Sequence, residues 1–163
     1  MPTTSPEMMS IAREQGQHAS EGWRRSAISR AYYAAYHRCR EWEQALPALG
    51  ANMGEEGGRH QELINRLKHP DRTCSAILKL RSKANGVQLE VQRERRVKAD
   101  YRLGDWVSEK ELGEQLDQVA QLIARCDQPS CADSAVLRTG RITDAGTPPP
   151  SPNPSGTPPS APR

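Results

Sequence analysis

The residues best suited to chemistry lie in one stretch. Ser26, Arg30, Tyr33 and His37 are spaced by 4, 3 and 4, and on an α-helix that spacing returns to one face. A guanidinium and an imidazole at a common cleft suit phosphodiester cleavage in RNA. His37 would move the 2′-hydroxyl or leaving-group proton, and Arg30 would steady the charge of the phosphorane. The two stand roughly 10 Å apart along a helix rising about 1.5 Å per residue, too far to touch. They converge only across a two-fold dimer in which each helix meets its symmetry mate. The alternative is structural, with Arg30 reaching an acidic residue on a neighbouring helix and His37 half-exposed.

A second concentration of charge runs from 79 to 102, where eight basic residues meet only Glu90, Glu94 and Asp100. Its densest part, Arg93, Arg95, Arg96 and Lys98 before Asp100 and Tyr101, could hold a polyanion backbone through charge contacts that read no bases. The same residues would also complement the negative end of a helix dipole with no ligand at all. Asp100 is unfavourable at that end unless an arginine pairs with it. His60 and His69 stand alone in polar surroundings and read as surface residues. No glycine-rich phosphate loop, zinc-protease helix or nucleophile elbow occurs, which removes the commonest hydrolase and nucleotide-hydrolysing classes. Cys126 and Cys131 are spaced C-x4-C with no second pair to answer them, and Cys39 reads as a small helix hydrophobe. No metal and no cofactor is expected.

These residues are positioned by helices. Ile28, Tyr32, Ala35, Cys39, Trp42 and Leu46 form one apolar stripe, which predicts a core helix of about 25 residues ending near Pro47. A weaker helix precedes it, from Ser5 to about His18. Pro47 to Gly58 collects glycines and reads as a flexible connection. A short helix, RHQELINRLK, stops before Pro70. Thr73 is expected to cap a longer one whose Ile77, Leu80, Ala84, Val87 and Val91 repeat at heptad-like spacing, with a bend possible at Gly86. Ser108 and Glu111 form a capping box that opens the last helix, whose buried stripe would be Leu112, Leu116, Val119, Ile123 and Cys126.

Of the chain's 163 residues, aromatics make up 4% and Phe is absent, which disfavours a β-sandwich. Nine of its 13 prolines lie in the last 37 positions. The expected architecture is all-α: an antiparallel up-and-down bundle of four to five helices over 1–126, followed by a disordered Pro/Ser/Gly-rich tail, 127–163. The net charge is +3, all of it in the body. No apolar run approaches the roughly 20 residues of a bilayer span, and MPTTSPEMMS lacks a signal-peptide core. No membrane association and a cytoplasmic location are therefore expected. A small-residue face at Ala27, Ala31 and Ala34 offers close approach to a second helix, and with it a homodimer.

Ser29-Arg30-Ala31-Tyr32-Tyr33-Ala34-Ala35-Tyr36-His37 resembles the S-R-x-x-Y-x-A-x-h signature of HEPN domains. His60-Gln61-Glu62-Leu63-Ile64 is similar to that family's short H-x-x-L-I helix, and Arg96 to Tyr101 to its R-x-x-A-D-Y segment. The likeness runs from about Met8 to Cys126. It implies a helical bundle that usually dimerises, in toxin–antitoxin, defence or RNA-processing settings, often beside a small nucleotidyltransferase as partner. Many such domains are metal-independent endoribonucleases with an R-x4-6-H motif on a late helix. Here Arg30-x6-His37 meets the spacing on an early helix, and the late segment holds no histidine. The resemblance thus implies an RNA or nucleotide ligand. Arg30 and His37 are the catalytic candidates, and Tyr33, Arg95, Arg96, Lys98, Asp100 and Tyr101 the binding candidates. A non-catalytic interaction domain on the same fold is the alternative.

Overall fold

The stripe from Ile28 to Trp42 is buried along its whole length, because the helix that carries it lies in the middle of the molecule. The structure is a computed structural model and describes residues 3–53 and 57–129. The described residues form α1 (Ser5–Gly16), α2 (Glu21–Gln44), α3 (Arg59–Lys68), α4 (Ala76–Tyr101) and α5 (Glu109–Asp127), with no strand among them. This is an all-α helical bundle. The tail beyond Pro129, Cys131 included, lies outside the described residues. Among the described residues no helix is long and apolar enough to cross a membrane.

Helix directions follow from cross-contacts. Arg25 at the head of α2 reaches the carbonyls at the end of α4, so these two run antiparallel. Asn85, Gln92 and Arg95 of α4 meet Arg125, Gln118 and Glu114 of α5 in reverse order, so that pair is also antiparallel. Gln115 bonds the Ile28 carbonyl and Asp127 bonds Arg38, which makes α2 and α5 parallel, as alternate members of an up-and-down bundle are. Among the described residues α2 touches each of the other helices, while α1 and α4 do not meet. The short α3 packs against α2 and α4.

Each long helix starts on a side-chain cap. Thr4 and Glu7 form a capping box on α1, Ser20 accepts from Trp23 N–H, and Ser108 with Glu111 caps α5 as its sequence predicts. The cap of α4 is Ser75, which accepts from Leu78 N–H. Thr73 instead donates its hydroxyl to the Asp71 carboxylate, 2.7 Å away, in a turn before the helix.

The main departure from the sequence pattern is α4. Its heptad stripe faces outward: Ile77, Leu80, Val87 and Val91 are 51, 73, 53 and 43% exposed. The face turned inward carries Ser82, Asn85, Gly86, Leu89 and Gln92. Small and amide residues serve there because backbones cross closely. A Cβ on Gly86 would lie 2.9 Å from Lys68 Cγ and 3.0 Å from the Lys68 nitrogen, and Ser82 donates to the Leu67 carbonyl at 2.7 Å. Gly86 is thus the point where α3 crosses, within an unbroken helix.

The Pro47–Gly58 connection is anchored in part. Ala51 N–H donates to the His69 carbonyl at 2.9 Å, and Gly50 presses on the end of α3, where a Cβ would collide with the Arg66 carbonyl oxygen. Ala27, Ala31 and Ala34 are wholly buried within the protomer, so that face is closed to a second copy.

Candidate functional site

A cleft of about 600 Å³ opens between α2 and α3, floored by Leu63 and walled by Tyr33, Tyr36, His37 and Arg40 from α2 and by Arg59, His60, Glu62 and Arg66 from α3. Residues 33, 36, 37 and 40 share a face of α2 by helical spacing. His60 follows the same logic on α3: with Leu63 and Leu67 it steps by 3 and 4, so it stands above two fully buried leucines.

His60 is the hub of the cleft. Its Nδ1 lies 2.8 Å from the Tyr32 hydroxyl. Its ring packs 4.3 Å from that of Tyr36 and 5.8 Å from that of Tyr33, edge-on. Tyr36 in turn sits edge-on to His37 at 5.3 Å. Burial, then the positive charges of Arg96 and Arg93 and of His37, lower the pKa of His60. Burial pushes the Tyr32 phenol up. At neutral pH, therefore, an uncharged imidazole faces a protonated hydroxyl, and the hydroxyl can donate or accept in that pair.

Arg66 closes one end of the cleft through a bidentate pair with Glu43, at 2.7 and 3.0 Å. Glu43 is almost wholly buried, so this pair holds α3 to α2 and leaves Arg66 little freedom. Arg40 and Arg59 form no ion pair among the described residues. They are the guanidinium groups that the cleft can offer to an anion.

Beside the cleft, Arg96 links it to a second cluster. Its Nη2 donates to the hydroxyls of Tyr33 and Tyr101, both at 3.2 Å, and its guanidinium lies over the Tyr101 ring, 4.9 Å from the centroid. Asp100 has the partner it needs, an ion pair with Arg96 at 2.7 Å. It also accepts from the Ser29 hydroxyl at 3.1 Å, which ties α2 to the end of α4.

The structure thus brings Tyr33 and His37 into one cleft, and Arg96, Asp100 and Tyr101 beside it. Arg30 is exposed and lies outside the cleft lining. Arg95 bonds Gln118 and Glu114, and Lys98 pairs with Glu111. Both are held against α5, away from the α2–α3 cleft. His60, which its polar surroundings in sequence mark as a surface residue, is instead half-buried among Tyr32, Tyr33 and Tyr36. Its 60/63/67 spacing on α3 is the signal that it faces the core, and neither Arg40 nor Arg59 carries such a signal. Comparison with protein families, with curated proteins and with solved structures finds no match to this chain.

Proposed function

We propose that this protein is a HEPN-like domain that binds RNA or a nucleotide in the α2–α3 cleft. The observation that carries this reading is the lining itself: two tyrosine rings, two imidazoles and three guanidiniums, of which only Arg66 is in an ion pair among the described residues, beside the single carboxylate of Glu62. Rings accept a base by stacking, and the cations accept phosphate. Tyr33 is the hinge of the site, because it reaches both the cleft and Arg96.

His37 and His60 in one cleft favour a further reading, in which the bound RNA is cleaved without metal. Neutral His60 would accept the 2′-hydroxyl proton, the 2′-oxygen would attack phosphorus, and protonated His37 would donate to the departing 5′-oxygen. Arg40 and Arg59 would hold the phosphate. Arg30 enters only if a two-fold dimer carries it to the partner's cleft. A small nucleotidyltransferase remains the partner that the family resemblance suggests.

The test is fluorescence anisotropy on a labelled single-stranded RNA, with Arg40→Glu and Arg59→Glu as site variants and a cleavage assay in EDTA. Binding that both variants abolish supports the cleft. Binding that neither changes removes it. Products with 2′,3′-cyclic phosphate ends, lost in His60→Gln and in His37→Gln while binding persists, support the cleavage reading.

A further inference from the structure

We propose that the outward face of α4, with the adjoining edge of α5, is a docking groove for an acidic amphipathic helix of a partner protein. The groove is shallow and open, with a volume of about 620 Å³. Its floor is the heptad stripe, with Leu80, Ala84, Val87 and Val91 presented at helical spacing. Its far wall is made of the uncharged amides Gln118 and Gln121 of α5. An apolar floor laid out in steps of 3 and 4 between two helices is the shape that receives a third helix through its own i, i+3, i+4 and i+7 positions. Four large apolar side chains of α4 are exposed along one stripe, where α1 exposes only Ile11 and α2 only Trp23 among the described residues, and the inward face of α4 is packed without them. The fold therefore does not use this stripe for its own core.

The rim selects the occupant. Lys83 and Arg125 line the groove, and Lys79 and Arg81 flank Leu80 along the chain. Among the described residues none of these four is in an ion pair. Lys79 and Arg81 bond only backbone carbonyls, of Arg72 and Gln128, and Arg125 bonds the Asn85 amide. Of the carboxylates near the stripe on α4, Glu90 is taken by Lys68 at 2.9 Å and Glu94 by Arg93 at 3.3 Å. A second copy of this chain would set Lys83 and Arg125 against the same two residues, which is repulsive. A helix with carboxylates flanking its apolar stripe would neutralise them. A flat anionic lipid surface could use the same charges, and the vesicle arm of the experiment below separates it from a helix.

The experiment uses the full chain and a blocked, fluorescein-labelled peptide of about five helical turns, with leucines on one face and glutamates flanking them. A twin peptide has lysine in place of each glutamate. The acidic peptide is expected to bind saturably, more weakly as salt rises, and at least about tenfold less tightly to Leu80→Glu and to Val87→Glu. Both positions are exposed, so these variants keep their circular dichroism. Lys83→Glu is expected to weaken the acidic peptide and strengthen its lysine twin, a swap that misfolding does not produce. RNA binding at the α2–α3 cleft stays unchanged in all three, so the two readings fail separately. The proposal is overturned if the acidic peptide does not saturate or the twin binds equally well. It is equally overturned if Leu80→Glu converts a dimer to a monomer in light scattering, or releases the chain from phosphatidylserine vesicles while the peptide fails to bind.

Discussion

The Tyr32 hydroxyl and His60 Nδ1 lie 2.8 Å apart, and this contact joins the buried core of α2 to the mouth of the cleft. Tyr32→Phe keeps the ring and removes the partner. It is expected to destabilise the fold by about 1 kcal/mol, the usual worth of such a bond, and to move the His60 ring resonances in an NMR titration. An unchanged titration would detach Tyr32 from the site.

Folding holds His60 below its ordinary value of 6.5, so as the pH falls the unfolded chain takes up that proton first. The contribution of His60 is complete above 6.5 and is lost as the pH drops through the folded value. The stability difference between the wild type and His60→Gln is therefore expected to be flat from pH 8 to 7 and to shrink toward pH 5, measured by urea melts. A phosphate ligand favours the protonated ring, so binding should strengthen over the same interval.

Arg95 and Lys98 are committed to α5. Arg95→Ala with Lys98→Ala is expected to leave RNA affinity unchanged while lowering Tm by a few degrees. Arg40→Glu with Arg59→Glu should do the reverse, abolishing binding at an unchanged Tm. Loss of binding in the first pair would move the phosphate contacts to the α4–α5 side.

Glu43 and Arg66 form a pair whose carboxylate is buried. Arg66→Ala strands that charge and is expected to cost about 3–5 kcal/mol. Adding Glu43→Gln should recover part of the loss. A thermodynamic cycle with no recovery would mean that Arg66 acts by packing alone.

Gly86→Ala should lower Tm, although alanine in an open helix would raise stability by up to about 1 kcal/mol. The reason is contact with α3 at 3.0 Å or less. Gly50→Ala is expected to be worse, because its nearest neighbours are backbone carbonyl oxygens that cannot swing aside. A gain in stability at Gly86 would show that α3 gives way.

Helix content was legible wherever caps and apolar stripes coincided. Ser108 with Glu111, and Ile28 through Trp42, are examples in which local propensity and burial agree. On α4 they part company. Periodicity there marks a helix face but not which way it points, and Gly86, Ser82 and Asn85 hold the inner side by being small or amide. The cleft was half legible. Tyr33 and His37 follow from spacing on one helix, whereas His60 joins them only because α3 crosses there, a relation between residues about 25 positions apart. The ion pairs of Arg95 and Lys98 are tertiary for the same reason.

Because α2 meets every other helix, the bundle has no seam. Its contacts include Arg25 with the carbonyls of Lys98, Ala99, Arg102 and Asp105, and Arg38 with Asp127, pairs far apart along the chain. Neither the first half nor the second half owns a complete interior. Fragments ending before α4 should stay unstructured, and the intact domain should melt in a single step. Its folding should be slow for a helical protein, since its central rod is made early in the sequence and is finished only when the last helix arrives.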